Sequence, residues 1–300
     1  MLFSSKGKFK KKALFPGWKK LQELKATLAV PEGAGMLIVG ERINTSRKPV
    51  NEAVEKQDAA YITTDVQKQV KAGANYIDVN AGSRIGSERD DVNWLVGVIE
   101  AAVDVPLALD SPDPKVLSAM VKRVKQSPMI NSTTAEASRF EVMKGVIQER
   151  ECDIVALCMD ERGIPTTLEQ LLENASRLVK DLTQLKVPLE RIHLDPMIQP
   201  ISLSKDNGTL AMESIRRLHQ EFPGVRTICG LSNISFGLPN RFLMNRLFMV
   251  LCIGSGLTGA IVDPLDQKMM TQIMVAETLV GKDEFCLRYL KANRAGILVS

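Results

Sequence analysis

The sequence predicts an α/β fold, a (β/α)8 TIM barrel with a short basic N-terminal extension. Three observations predict it. Eight short apolar runs alternate with eight helical stretches between residues 36 and 279, and such alternation implies parallel βαβ units. The runs are apolar almost throughout, which fits strands buried on both faces. Eight units in this length match a closed barrel, which needs about 250 residues. A doubly wound open sheet is the runner-up. It would carry a Gly-rich phosphate loop after its first strand, and Gly40-Glu41-Arg42-Ile43-Asn44 is not one.

The elements follow in order. The first strand is Met36–Glu41, followed by one amphipathic stretch over residues 51–71. Tyr76–Asn80 precedes a helix over 90–102, Pro106–Asp110 a helix over 114–125, and Met129–Asn131 a helix over 138–150. Ile154–Met159 leads to a long helix over 167–185, and Ile192–Asp195 to one over 209–221. Thr227–Asn233 precedes a helix over 239–253, and Ala260–Asp263 a final helix over 266–279. No internal repeat or low-complexity linker interrupts the pattern, so residues 36–300 read as one domain.

Charge divides the chain differently. The net charge is +4, but residues 1–35 hold eight lysines against two glutamates, which is +6 and leaves −2 for the rest. A basic extension over 1–35 thus precedes a mildly acidic body. Within it Trp18, Leu21, Leu24 and Leu28 fall at helical spacing, which predicts a short amphipathic helix. Hydrophobic content of 45% with 25% charged residues excludes a disordered body, a collagen and a disulfide scaffold. No apolar run reaches the roughly 18 to 20 residues of a membrane helix. Nor does the extension read as a secretory signal, because Pro16-Gly17 breaks its apolar residues. Five scattered cysteines, an odd number without a Cys-x-x-Cys pair, read as buried thiols of a reducing cytoplasm.

Chemistry in a parallel barrel collects where its strands end. Those ends are Glu41 with Asn44, then Asn80, Asp110, Asn131, Met159-Asp160, Asp195, Asn233 and Asp263. A single Asp or Asn there is easily a helix cap. So many on one rim predict a polar, acceptor-rich pocket. His219 reads as solvated and His193 as a packed core residue. No His/Cys/carboxylate cluster has metal-ligand spacing, so no protein-bound metal is expected. No phosphate loop and no Ser-His-Asp order is present. A carboxylate suits two adjacent N–H donors, as on the 2-amino-4-oxo edge of a pterin, and asparagine can serve the remaining ring atoms. Sugars and purines would fit such a rim as well.

Gly40-Glu41-Arg42-Ile43-Asn44, Leu109-Asp110-Ser111, Met129-Ile130-Asn131-Ser132-Thr133, Asp195-Pro196 and Gly230-Leu231-Ser232-Asn233-Ile234-Ser235 occur in this order. With them, the segment from Met36 to about Leu290 resembles the methyltetrahydrofolate:corrinoid protein methyltransferases of the pterin-binding barrel family. The resemblance implies that Asp110, Asn131 and Asp195 hold the pterin ring. It implies that Asn233 bonds the methyl-bearing nitrogen N5, and that Arg241 lies near the pocket. Asn80, Met159, Asp160, Gly230, Ser232, Phe236 and Asp263 are expected as further pocket residues. Two positions depart from the family pattern. Phe236 replaces an expected glutamine, which touches folate-tail or corrinoid contacts, and Asp160 an expected asparagine.

The implied activity moves a methyl group between N5 of tetrahydrofolate and the cobalt of a corrinoid. Positive charge must build on N5 for the methyl to leave. A carboxamide does not titrate in water, so Asn233 is expected to stabilise that charge rather than supply a proton. Asp110 and Asp195 orient the ring. The chain has no Asp-x-His-x-x-Gly cobalamin motif, so the corrinoid is expected on a separate protein that docks over the strand ends. The family also implies a homodimer. Competing readings are a dihydropteroate synthase-like enzyme, whose Lys and Ser-x-Arg signature is missing, and a non-catalytic folate-binding barrel. A nucleic-acid binder working through the basic extension is a third, against which the −2 body argues.

Overall fold

The computed structural model describes residues 35–299. Eight parallel strands close into a barrel in sequence order, β1 to β8. They are β1 Leu37–Asn44, β2 Tyr76–Asn80, β3 Leu107–Asp110, β4 Met129–Thr134, β5 Asp153–Leu157, β6 Ile192–Asp195, β7 Arg226–Gly230 and β8 Gly259–Val262. The barrel expected from sequence is the barrel observed. The helix expected around Trp18–Leu28 and residues 1–34 of the expected extension over 1–35 lie outside the described residues.

The outer helices are α1 Lys48–Glu55, α2 Ala59–Lys71, α3 Glu88–Ala102, α4 Pro114–Arg123, α5 Ala137–Gln148, α6 Leu168–Gln184, α7 Asn207–Glu221, α8 Arg241–Gly254, α9 Gln267–Leu279 and α10 Leu287–Arg294. The stretch over 51–71 is two helices rather than one. The chain turns at Gln57, whose φ is 50°, and Asp58 caps α2 by accepting from the Tyr61 N–H at 3.0 Å. Apolar spacing runs on across this break because both helices bury one face on the same strands, through Val54 and then Ile62 and Val66. The run Thr227–Asn233 is a strand only to Gly230; Leu231–Ser235 coils into a 3-10 turn. Helix α10 was not anticipated. It is tied to the barrel's N-terminal end by Arg288, which donates to Glu277 at 3.0 Å.

Strand parity sorts the side chains. Ile77, Val79, Leu109, Ile130, Ile154 and Leu194 face outward into the helix layer and are buried there. Val39, Ala108, Met129, Val155 and Ile228 face inward and fill the lumen as a separate apolar plug. His193 lies inside the barrel, fully buried, with Nε2 2.8 Å from Asp153 Oδ1; Tyr76 also donates to this carboxylate, at 3.2 Å. It is the core histidine that the sequence favoured, in a polar network. His219 is half-buried against Gly256 rather than solvated, and burial lowers its pKa. Four cysteines are buried as expected; Cys286 is exposed. Among the described residues no helix is long and apolar enough to cross a membrane.

The plug fixes where a ligand can sit. The lumen is packed, and the layer above it, at the C-terminal strand ends, is where a parallel barrel collects its chemistry.

Candidate active site

Register builds the site. Asn80 pairs with Asp110, and Asp110 with Asn131, so three neighbouring strands end in one polar row. Leu157 pairs with Asp195 further round the barrel. Side chains paired in parallel strands point the same way, so this row faces the mouth together.

Each member is held. Asn80 Nδ2 donates to Asp110 Oδ2 at 2.7 Å, while its Oδ1 accepts the Gly82 N–H at 2.9 Å. Asn131 Nδ2 donates to Asp78 Oδ1 at 3.3 Å. Asp195 Oδ1 accepts the Met197 N–H at 2.7 Å. These bonds set the rotamers without using up the carboxylate acceptors. A carboxylate offers about four lone-pair positions.

The electrostatics follow from that shortage of donors. Burial raises the Asp195 carboxyl to about 7 against the Met197 and Gly230 N–H groups, which pull it down. Burial, with the Asp263 carboxylate next, raises Glu41 to about 7 despite Arg47 and Arg42. Asp78 is pushed well above the carboxylate range by burial and by Asp110, with the Asn131 amide opposing. Asp110 is raised by burial, with the Asn80 amide opposing. The mouth therefore holds four under-donated carboxyls. A ligand that brings N–H donors and no negative charge answers that need.

Asp78 and Glu41 belong to this site; Glu41 is among the strand ends expected from sequence, and Asp78 is not. Asp78 has the parity of Tyr76 and Asn80 and points inward one step below the strand end. That parity was readable. Glu41 stands in an irregular stretch of β1, where one extra residue enters between Gly40 and Ile43 and the strand runs on to Asn44, three residues past the end expected from sequence.

The other expected residues divide into two groups. Asp263, just past β8, accepts from Arg42 at 2.7 Å, with Arg47 at 3.7 Å, and Arg42 also grips Asp65 at 2.7 Å. Gly230 ends β7 facing open space; a Cβ there would meet nothing within 4 Å. Asn233, Ser232 and Phe236 are exposed on the β7–α8 turn. Asn233 Nδ2 donates to the Ile198 carbonyl at 2.7 Å. Arg241 locks this turn, donating to Ser235 Oγ at 3.0 Å and to the Ser232 carbonyl at 2.8 Å, and its guanidinium lies 6.0 Å from the Phe236 ring centre.

Asp160 does not join the carboxyl layer. The Met159 carbonyl accepts from the Ala135 N–H at 2.8 Å. Asp160 is turned into its own loop, bound by Arg162 at 2.7 Å and Arg177 at 3.4 Å. Arg162 holds its carboxyl below the usual range. Its acceptors are spent on arginine, which removes it from the set of free pocket carboxylates.

Comparison with known proteins places this geometry. A family model described as pterin binding enzyme matches residues 40–263. Methylcorrinoid:tetrahydrofolate methyltransferase of Eubacterium limosum is 34% identical over 263 residues, covering 87% of this chain and 97% of that protein. Methionine synthase of Mycobacterium leprae is 32% identical over 240 residues, 76% of this chain but 20% of the synthase. Among solved structures, dihydropteroate synthase from Xanthomonas albilineans with 7,8-dihydropteroate superposes with a TM-score of 0.63 at 16% identity. That match covers 82% of this chain and 94% of the synthase. The synthase from Coxiella burnetii with pteroic acid gives 0.62 at 16% identity, covering 83% and 95%. At that identity the likeness shows the fold alone. The full-length sequence match and the family model carry more: the chain belongs to the pterin-binding enzyme family, in its methylcorrinoid:tetrahydrofolate methyltransferase group.

Proposed function

We propose that this chain is a methyltransferase that moves a methyl group between N5 of tetrahydrofolate and a corrinoid carried on a separate protein. The observation that carries the reading is the layer of buried, donor-poor carboxyls at the mouth, Asp78, Asp110 and Asp195, interleaved with Asn80 and Asn131. The 2-amino and N3–H donors of a pterin supply what these groups lack. A phosphate or a carboxylate ligand would meet repulsion there.

Recognition and chemistry then fall to different residues. Asp110 and Asp195 accept from the ring, and Asn80 and Asn131 fix the carboxyls that do so. Asn233 acts at N5. Its Nδ2 is committed to the Ile198 carbonyl, which can only accept, so the amide presents Oδ1 as an acceptor. An acceptor at N5 favours the nitrogen as it gains positive charge and does little for the neutral amine. That is stabilisation weighted to the transition state. The corrinoid supplies the cobalt that exchanges the methyl. An open mouth rimmed by the exposed Phe236 and Leu203 suits the approach of a large, partly apolar partner. Arg241 keeps the Asn233 turn in place while that partner comes and goes.

The working context proposed is a cytoplasmic enzyme acting on folate with a corrinoid protein as partner, assembled as a homodimer. The odd, scattered cysteines fit a reducing compartment. The dihydropteroate synthases share the barrel at 16% identity, whereas the methyltransferase match runs at 34% over nearly the whole relative, so methyl transfer is the better-supported chemistry.

The test separates the two roles. In titration calorimetry Asp110→Ala is expected to lose folate affinity by about 30-fold or more, the equivalent of about 2 kcal/mol. Asn233→Ala is expected to keep affinity within about tenfold and lose most of its transfer rate in stopped-flow absorbance. Unchanged folate affinity in Asp110→Ala would sink the pterin assignment.

A further inference from the structure

Helix α10 is amphipathic in the reverse of the usual sense. Its barrel side carries the buried Ala292 and Arg288, which donates to Glu277 at 3.0 Å. On the opposite side stand Leu287 and Leu290, which are 63% and 42% exposed. Just before the helix Phe285 is 80% exposed, and Leu279 at the end of α9 is 77% exposed. An outer helix ordinarily buries its leucines and gives its cations to water. These four side chains leave on the order of 400 Å² of apolar surface within residues 279–290, the size of the largest patch on an ordinary monomer.

The chain enters the barrel at the same place. The Met36 N–H donates to Glu277 Oε1 at 2.5 Å, and Glu277 also holds Arg288. A Cβ on Gly35 would lie 2.6 Å from Arg288 Nη1, so the backbone at residue 35 runs against the first turn of α10. Asp283 fixes that turn by accepting the Arg288 and Tyr289 N–H groups, each at 2.9 Å. Residues 1–34 are thus tethered beside the apolar face. Among them Trp18, Leu21, Leu24 and Leu28 form the row for which the sequence predicts an amphipathic helix. The residues from Leu28 to Gly35 span at most about 25 Å, and α10 is about 12 Å long, so the row can reach the face. A tether this short presents it at millimolar effective concentration.

We infer that the face built from Leu279, Phe285, Leu287 and Leu290 is the docking surface for the Trp18–Leu28 segment of the same chain. The tether selects this occupant, because a partner from solution competes against a segment already held at the rim of the face. Charge says what kind of contact it is. Glu284, Lys291 and Arg294 are exposed around the face and sum to +1, so attraction to a lysine-rich segment does not drive it. Apolar burial does, and salt then leaves the contact intact or tightens it by screening the cations. A polyanion drawn to the same lysines would be released by salt. The face lies at the N-terminal end of the barrel, away from the mouth. The inference does not rest on methyl transfer, and a failed folate assay leaves it untouched.

Tryptophan emission tests it. Trp18 and Trp94 are the two tryptophans, so Trp94→Phe makes the full chain report on Trp18 alone. That emission is expected to be blue-shifted, shielded from acrylamide, unchanged on dilution and retained in about 0.5 M salt. Leu287→Glu and Leu290→Glu are expected to return it to that of a solvent-exposed indole. On the unaltered tryptophan background the same two variants are expected to speed hydrogen exchange over residues 18–28 by about tenfold or more. Leu24→Glu does the same from the side of the segment, with every barrel residue left in place. Leu203→Glu, an exposed site at the mouth, is expected to change neither signal. The inference is overturned if Trp18 emits as a solvent-exposed indole in the Trp94→Phe chain, or stays shielded when Leu287→Glu and Leu290→Glu are folded. Shielding lost on dilution would assign the face to a second copy, and shielding lost in Leu247→Glu instead would put the segment on α8; either result overturns it.

Discussion

Asp195 ends β6 buried, with its carboxyl raised to about 7 by that burial. A free aspartate titrates near 3.9. Between those values the native chain binds a proton that the unfolded chain has released. Stability from this group is therefore full below about pH 4, falls as pH rises, and levels off above about pH 7. Glu41, also raised to about 7, acts with the same sign. Asp195→Asn removes its share. The Tm of wild type is expected to drop more than that of Asp195→Asn between about pH 5 and 7.5. The loss is bounded by about 1.4 kcal/mol for each tenfold by which folding weakens this acid. Equal slopes would mean that Asp195 is not a buried, proton-binding carboxyl. A pterin donating two N–H groups should reverse the burial effect and drive the proton off. Calorimetry near pH 7 in buffers of differing ionisation enthalpy is expected to show net proton release on folate binding. Net uptake would contradict this charge assignment.

How much a sequence discloses can be judged at single positions. Asp110, Asn131 and Asp195 were legible because strand periodicity puts each at the end of an apolar run, and a barrel turns those ends into one rim. Asp78 has the same parity as Asn80, but it lies inside an apolar run rather than at its end, where strand periodicity alone does not mark it. Glu41 was legible as a strand end, but the extra residue beside it in β1 is one that no apolar pattern records. Asp160 looked like its rim neighbours, yet Arg162, two residues on, and Arg177, on α6, claim it. Which partner a loop carboxylate finds is settled by loop geometry, and that is not written in spacing.

In the proposed function the β7–α8 connection is the element on which recognition and chemistry meet. Its strand ends at Gly230 with φ of −79°, a value open to any residue, and with no atom within 4 Å of a built Cβ. Glycine is therefore not required here by the backbone. The space over it is what matters, and in this account the pterin ring fills it. Gly230→Val is expected to keep its Tm within a few degrees, as surface substitutions of about 0.5 kcal/mol do, while folate affinity falls by about tenfold or more. Unaltered affinity in a folded Gly230→Val would mean that the ring does not pass over the end of β7. The 3-10 turn that follows was invisible in the sequence because Leu231 and Ile234 continue the apolar content of the strand while burying themselves in a different way. The break between α1 and α2 escaped for the same reason: apolar spacing persisted and only the backbone turn at Gln57 changed.

At the scale of the whole molecule the barrel was the most legible feature. Eight repeats of one pattern reinforce each other, and an error of two residues at any boundary leaves the topology unchanged. The apolar plug fills the lumen below the strand ends, so the carboxyl layer is the polar end of the barrel interior. The net charge of +4 is a poor guide to function, since it sums a basic extension with a mildly acidic barrel whose mouth is lined by carboxyls. The central claim is that this mouth exchanges a methyl group between folate and a corrinoid protein. The direct measurement follows isotopically labelled methyl in methyltetrahydrofolate mixed with the full chain and a reduced corrinoid protein, by stopped-flow absorbance and label counting. The account predicts label on cobalt at a rate that depends on this chain, is abolished by Asp110→Ala, and is faster with the carrier protein than with free cobalamin. Label that remains on folate, with folate bound and the corrinoid reduced, would contradict it.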